Sequence, residues 1–427
     1  MSVAGVLFLS FIVLLLLNVP IALGLGLSSL AAMAMSGTPL DMLPMQIYAA
    51  TGKFTLLAIP FFILAGNIME KAGISEKLIN LANKFVGHRK GGLAIVCVIT
   101  SCFFAAISGS GPATVAALGV IIIPAMINAG YGKGMSSALM ATSGAIGIII
   151  PPSIAFVVYG AVAEVSIVKI FIAGIVPGLL MGACLIVVSL ILSSKLDVEM
   201  QVKASSEEKW SAFKDAIWGL MMPAIILGGI YGGIFTPTEA AAVSAVYGLL
   251  VGIFVYRKIK WKEFHMLLVQ SSVQSATVML IVACASLFAW FCQTEGIAEM
   301  AQELLLNISG SKIVFLLIIN IILIIAGCFI DAVSALYIFI PIMLPVALEL
   351  GYDPIALGVL MTMNLAIGQV TPPVGVNLYV ACGISNISLK EISRAVLPFV
   401  LASILALFAI TYFPQITLLL PNIMGVK

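Results

Sequence analysis

Charge is what this chain has least of. Only 9% of its 427 residues are Asp, Glu, Lys or Arg, while 62% are hydrophobic, and the mean hydropathy is +1.22. A soluble domain carries about 25% charged residues, so a water-soluble globule is excluded and an all-α polytopic membrane protein is expected. The net charge of +2 and the lack of a basic tract interleaved with aromatics exclude nucleic acid as a partner. Histidine is scarce too: the only two, His88 and His265, lie in charged connecting segments. The seven cysteines (Cys97, Cys102, Cys184, Cys284, Cys292, Cys328 and Cys382) form no CxxC pair. That leaves them as small buried hydrophobes and excludes a disulfide framework or a thiolate metal site. No nucleotide-binding loop is present, so ATP is not the energy source within this chain. The N-terminus has no basic n-region, so the first apolar stretch is expected to be a retained span and not a cleaved signal.

What the chain does have is itself, twice. Shifted by 221 positions without a gap, Pro124 falls on Pro345 and Gly130-Tyr131 on Gly351-Tyr352. Ala145-Ile146-Gly147 falls on Ala366-Ile367-Gly368, Pro151-Pro152 on Pro372-Pro373, and Pro177 on Pro398. The matched residues are mostly Gly and Pro inside very apolar sequence. Helix breakers in a bilayer free backbone groups, which is tolerated only where protein or a water-lined cavity satisfies them. Paired Gly/Pro-interrupted segments in two halves point to the binding site of a transporter.

The order of segments repeats as well. In the first half (1–194), short apolar runs meet at Asn18-Val19-Pro20, and an amphipathic interfacial helix follows at 70–90. A helical hairpin at 91–129 then has the tip Ser108-Gly109-Ser110-Gly111, and a helix at 134–163 is broken at Pro151-Pro152. A polar linker covers 195–215. In the second half (216–427), two spans meet at Thr236-Pro237, and an amphipathic stretch lies at 294–310. A hairpin at 311–349 turns at Ile330-Asp331-Ala332, and a helix at 354–383 is broken at Thr371-Pro372-Pro373. About ten spans result, or nine if the N-terminal pair is one broken span. If the first hairpin is re-entrant, the basic segments 70–90, 195–214, 257–262 and 390–394 all share one face, the cytoplasmic one. The acidic stretch 295–303 falls opposite, so the halves are expected to be inverted. Two full spans in place of the hairpin would keep the same parity; the Ser-Gly-Ser-Gly tip is what favours the hairpin.

A hairpin of two half-helices ends inside the bilayer and presents bare backbone groups there. The positive end of the helix starting at Pro112 attracts an anion, and carbonyls ending the preceding half-helix bind a cation. Ser108, Ser110 and Thr114 add oxygens, and the prolines at the breaks leave carbonyls without helical partners. Two small-cation sites are expected. The first uses Ser108, Ser110 and Gly111 with Gly147 and Pro151. The second uses Gly327, Asp331 and Ser334 with Gly368 and Thr371. Substrate contacts are expected from Ser110, Thr114, Pro152, Ser153, Asn364, Thr371 and Pro373. Asp331, the one acid in the middle of an apolar run, is costly at that depth. It serves as a cation ligand or proton carrier, as the cap of the helix beginning at Ala332, or as both. Asn364 either faces substrate or bonds between helices. Glu239, in the capping box Thr236-Pro237-Thr238-Glu239, reads as structural.

Five motifs together resemble the large membrane subunit of TRAP (tripartite ATP-independent periplasmic) transporters, within the wider ion transporter superfamily. They are Asn18-Val-Pro-Ile21, Ser108-Gly-Ser-Gly-Pro-Ala-Thr114, Gly147-Ile-Ile-Ile-Pro-Pro-Ser153, Thr236-Pro-Thr-Glu-Ala-Ala241 and Gly368-Gln-Val-Thr-Pro-Pro-Val-Gly375. The resemblance covers essentially the whole chain. It implies two inverted repeats that form a scaffold and a moving transport domain, with elevator-type transport coupled to Na+. It also implies a bacterial inner-membrane location, a small four-span membrane subunit and a periplasmic substrate-binding protein. The small subunit is expected as a separate chain. Substrates of the family are mostly organic anions such as dicarboxylates, sialic acid and other sugar acids.

Three rivals are weaker. A binding-protein-independent sodium- or proton-coupled carboxylate transporter of the same superfamily would share the breaks. An ion channel also uses re-entrant loops, but Ser110 against Asp331 makes the two breaks unlike. An intramembrane serine protease would need a base beside Ser110, and neither histidine lies in a membrane run.

Overall fold

Apolar runs punctuated by Gly, Pro and short polar turns fold, in the computed structural model, into twenty α-helices. No strand occurs among the described residues, which are 2–425 apart from the Trp261 side chain. In hydrocarbon a backbone must satisfy its own N–H and C=O groups, which a helix does within one segment. The first half runs α1 (Val3–Leu16), α2 (Ile21–Ser36), α3 (Met42–Thr51), α4 (Ala58–Lys71), α5 (Ile74–Val86), α6 (Gly92–Ser108), α7 (Gly111–Asn128), α8 (Lys133–Ala145), α9 (Ile154–Val162) and α10 (Ile167–Ser193). The second runs α11 (Ser206–Tyr231), α12 (Pro237–Leu250), α13 (Trp261–Thr294), α14 (Ile297–Ser309), α15 (Lys312–Phe329), α16 (Ala332–Glu349), α17 (Pro354–Gly368), α18 (Val376–Ser385), α19 (Leu389–Tyr412) and α20 (Pro414–Ile423).

Nine helical stretches among the described residues are long and apolar enough to cross a membrane. This is a polytopic membrane protein. The two short N-terminal runs form short helices, as their lengths imply. The 14 residues of α1 and 16 of α2 rise about 21 and 24 Å, under the ~30 Å hydrocarbon thickness. The closing run also divides. Phe413 leaves helical geometry (φ −121°, ψ 70°), because the residue before a proline is disfavoured in the α region, and α20 starts anew at Pro414. Helix α3 was not anticipated. The box at the start of α12 forms as expected: the Thr236 N–H donates to Glu239 Oε2 at 2.8 Å, and the Glu239 N–H donates to Thr236 Oγ1 at 3.3 Å.

Most of the closest helix pairs fall within two groups, which α5 against α6 and α13 against α16 join. In the first, α4 lies along α12, α2 along both α1 and α13, and α5 along α11. In the second, α7 packs on α8 and α18, α16 on α9, α15 on α17, and α19 on α8 and α10. Helices α8 and α17 are the axis of this group; α17 is buried on every side from Ile355 to Gly368, as an all-round apolar helix must be. At 13 and 15 residues they rise about 20 and 23 Å, each too short to cross ~30 Å of hydrocarbon, and each stops before its Pro-Pro pair.

All four ion pairs found among the described residues tie the 71–90 segment to 206–263. They are Lys71–Glu263 (3.7 Å), Lys77–Asp215 (3.8 Å), Lys84–Glu208 (2.9 Å) and Lys258–Glu76 (2.8 Å). Exposed pairs contribute about 0–1 kcal/mol each, so they mark a common face of the molecule more than they hold it together.

Candidate functional site: two hairpin tips against two helix breaks

The first tip is a knot of oxygens. Helix α6 ends at Ser108, and Gly109 reverses the chain at φ +61°. Ser110 is extended before α7 begins at Gly111. The hydroxyls of Ser108 and Thr114 lie 2.8 Å apart, and Thr114 Oγ1 donates to the Ser110 carbonyl at 2.8 Å. Ser108 Oγ stands 3.3 Å from the same carbonyl. Two glycines let this knot touch the first break. A Cβ on Gly147 would sit 2.7 Å from Thr114 Oγ1 and 2.8 Å from Ser110 O; one on Gly109 would sit 2.8 Å from the Pro152 carbonyl. Ser108, Ser110, Gly111, Thr114, Gly147 and Pro152 are therefore one cluster. Ser153 is beside it but committed, since it caps α9 and donates to the Ile148 carbonyl at 2.6 Å.

The second tip is built differently. Asp331 is the N-cap of α16: the Ser334 N–H donates to its Oδ1 at 3.0 Å, and the Ser334 hydroxyl donates to Oδ2. The cap is thus present. A carboxylate has about four lone-pair directions, so capping leaves two for another partner. The tip meets the second break through bare backbone. A Cβ on Gly368 would lie 2.5 Å from Gly327 Cα, and one on Gly327 would lie 3.1 Å from Gly368 Cα. The Gly375 N–H donates to the Cys328 carbonyl at 3.2 Å, and Thr371 Oγ1 donates to the Ile367 carbonyl at 2.7 Å. Gly327, Gly368 and Thr371 therefore belong to one neighbourhood with the turn that carries Asp331 and Ser334. Pro151 and Pro372 each open a cis Pro-Pro pair.

The two tips are not independent. A Cβ on Gly111, at the start of α7, would meet Gln369 Oε1 at 2.6 Å and Asn377 Nδ2 and Oδ1 at 3.1 and 3.3 Å. Gln369 and Asn377 are 5% and 0% exposed, and neither Gln369 Oε1 nor Asn377 Oδ1 has a hydrogen-bond partner among the described residues. An acceptor buried without a donor costs about 1–3 kcal/mol, which marks the spot as one where a donor or cation belongs. Sequence reasoning missed both residues. The signal was there: Gln369 is the only amide within the second break motif, and Asn377 lies two residues beyond it.

A cleft of about 510 Å³ opens in front of the first tip, lined there by Ser108, Ser110, Pro112, Ala113 and Ile154. Asn67 and Glu70 of α4 with Gln274 and Thr277 of α13, which were not anticipated, complete its polar lining. Of the expected substrate contacts, Ser110 lines this cleft. Thr114 stands fully buried behind it, while Pro152, Ser153, Thr371 and Pro373 do not line it. Asn364 is also elsewhere: fully buried, it donates to Asn320 Oδ1 at 2.7 Å and the Leu360 carbonyl at 2.9 Å. Asn320 in turn donates to Thr411 Oγ1 at 3.2 Å. Of its two anticipated roles, Asn364 takes the bond between helices.

Residues 8–416 match the model of the tripartite ATP-independent periplasmic transporter family, DctM component. The chain belongs to that family. The C4-dicarboxylate TRAP transporter large permease protein DctM of Rhodobacter capsulatus is 40% identical over 99% of each chain. The sialic acid TRAP transporter large permease protein SiaM of Vibrio cholerae is 37% identical over 96% of each. The isethionate TRAP transporter permease protein DctMQ of Oleidesulfovibrio alaskensis is 45% identical over 96% of this chain, which spans 65% of that longer protein. These relatives are transporter permeases, not enzymes. Among solved structures, the YdaH transporter of Alcanivorax borkumensis has a similar fold at 13% identity, with a TM-score of 0.59 over 98% of both chains.

Proposed function

We propose that this DctM-family chain is the large membrane subunit of a sodium-coupled, binding-protein-dependent secondary transporter that imports an organic acid anion. The class of substrate is a dicarboxylate, sialic acid or another sugar acid, as the names of the relatives suggest. The chain works in the bacterial inner membrane with a small four-span subunit and a periplasmic binding protein. Residues 1–194 and 216–427 form two inverted repeats joined by the 195–215 linker. The group around α4, α12 and α13 is the fixed scaffold; the group around α8 and α17 carries the substrate across it as an elevator.

The observation that carries this reading is the pair of hairpin tips, each held by glycines against a Pro-Pro break. Na+ is a small hard cation that takes oxygen ligands, and both junctions offer hydroxyls and backbone carbonyls with no soft donor needed. The first site draws on Ser108, Ser110, Gly111, Gly147 and Pro151. The second draws on Gly327, Asp331, Ser334, Gly368 and Thr371, and the orphan oxygens of Gln369 and Asn377 lie between them. The substrate anion sits in the cleft before Ser110, at the positive end of α7. The membrane potential adds about 2.3 kcal/mol per net charge per 100 mV to the driving force.

The test is uptake into proteoliposomes holding this chain and its small subunit. Cognate binding protein loaded with a radiolabelled organic acid is added outside, with and without an inward Na+ gradient. Uptake that needs both establishes the function. Uptake with Na+ alone discards the binding protein, and loss of Na+ dependence discards the coupling.

A further inference from the structure

The cleft before the first tip has an unusual charge inventory for an anion site. Among its lining residues the only ionisable one is Glu70, and no Lys, Arg or His faces it. Glu70 makes no ion pair and no side-chain hydrogen bond among the described residues; its neighbour Lys71 turns to Glu263 instead. A second anionic group bound in this cleft would therefore meet a like charge and no cation. Like charges a few ångströms apart near a protein surface repel strongly.

The same lining carries a ready neutral reader. Asn67 Nδ2 donates to both Ser271 Oγ and Gln274 Oε1, each at 2.9 Å. Those bonds pin both amides across α4 and α13 and leave Asn67 Oδ1 and Gln274 Nε2 without partners among the described residues. One free acceptor beside one free donor matches a hydroxyl group, which both donates and accepts. Thr277 adds a further hydroxyl on the same helix face. In the same cleft Ser108 ends α6 and Ser110 leads into α7, whose positive end suits one anionic group. The volume of about 510 Å³ suits a small-molecule ligand.

We propose that the substrate of this chain is a monoanionic acid with a neutral, hydroxylated remainder, and that Glu70, the one ionisable residue lining the cleft, excludes dianions. The inference rests on the transport reading above and narrows its substrate class. The acid group docks at the Ser108–Ser110 tip, the hydroxyls are read by Asn67 and Gln274, and Glu70 repels a dicarboxylate's second charge.

The experiment is ligand-induced thermal stabilisation of the purified complex with its small subunit, in Na+ at neutral pH. Gluconate, glycerate and N-acetylneuraminate are compared with succinate, malate and fumarate. At least one hydroxylated monoanion is expected to stabilise the complex at a concentration about tenfold or more below any dianion. Glu70→Gln, close to isosteric, should shrink that ratio several-fold while leaving the Na+ response unchanged. Asn67→Ala and Gln274→Ala should each raise the half-saturating concentration of the preferred monoanion and shrink its lead over a mono-acid without hydroxyls, such as butyrate. Dianions binding as well as monoanions in the wild type, or an unaltered ratio in Glu70→Gln, overturns the proposal while leaving the transport reading intact. No Na+-dependent stabilisation by any organic acid overturns both.

Discussion

Asp331→Asn separates two roles that Asp331→Ala would remove together. The carboxylate caps α16 through the Ser334 N–H and hydroxyl. Asn is as good an N-cap as Asp, whereas Ala at such a position costs about 0.5–2 kcal/mol. Removing a charge at membrane depth also relieves a penalty of roughly 2.5–3.5 kcal/mol on insertion scales. The Asn variant should therefore be no less stable than the parent. Its effect on a bound cation is different in sign. Opposite charges about 4 Å apart attract by about 4 kcal/mol at an effective dielectric of 20. Partial exposure of Asp331 screens part of that, so a loss of about 1.4 kcal/mol, tenfold in affinity, is the smallest effect expected. The assay is the Na+ dependence of uptake in proteoliposomes, read beside thermal unfolding in detergent. Asp331→Asn should raise the half-saturating Na+ concentration at least about tenfold with unfolding unchanged, and Asp331→Ala should do the same with a lowered unfolding temperature. Wild-type Na+ dependence in the Asn variant would refute the placement of a cation at the second tip and leave Asp331 a cap alone.

Three further outcomes follow from the glycine contacts and the orphan amides. Gly368→Ala places a Cβ 2.5 Å from Gly327 Cα, an overpacking that costs about 1–3 kcal/mol or more; Gly327→Ala, with its nearest atom at 3.1 Å, should lower the unfolding temperature less, and equal losses would contradict the contact. Gly147→Ala drives a methyl against Thr114 Oγ1 and Ser110 O, so Na+ half-saturation in uptake should rise by more than the unfolding temperature falls. Asn377→Ala removes an acceptor that is buried without a donor; a stability gain with normal Na+ response would show an unsatisfied group and nothing more, while the expected result is weaker Na+ dependence.

The breaks were legible because Gly and Pro act through the backbone, where their effect does not depend on what surrounds them. Gly109, Gly147, Pro151, Pro372 and the Thr236 cap sit where their chemistry put them. The hairpin ends and the cap role of Asp331 follow from local rules in the same way. What the sequence could not say is which side chains meet across the molecule. Asn364 looked as available as Asn377, since both are amides in apolar runs near the same break. Only tertiary packing turns the first toward Asn320 and the second toward Gly111. The rest of the cleft's polar lining was hidden for the same reason: Asn67 and Gln274 are 207 positions apart, and each alone reads as an ordinary polar residue of a membrane helix. Helix α3 and the division at Phe413 were missed for lack of a periodic signal in one case and by reading through Pro414 in the other.

The contact between Gly111 and the second break bears on how two ion sites could act as one. Helix α7 packs on α18, and α16 packs on α9, so the second helix of each hairpin rests on the helix that follows the other half's break. A shift of the first tip moves the start of α7 against Gln369 and Asn377; a change at the second break moves those amides against Gly111. Interiors this closely packed do not deform smoothly and favour discrete arrangements. With Gly111 lacking a side chain to cushion the approach, a cation at one tip of the proposed transporter would alter the oxygens available at the other. Coupling of that kind requires no pathway of distant residues, only two breaks that share a wall. On the same proposal the second tip would bear on substrate through the position of α7, without contact with it.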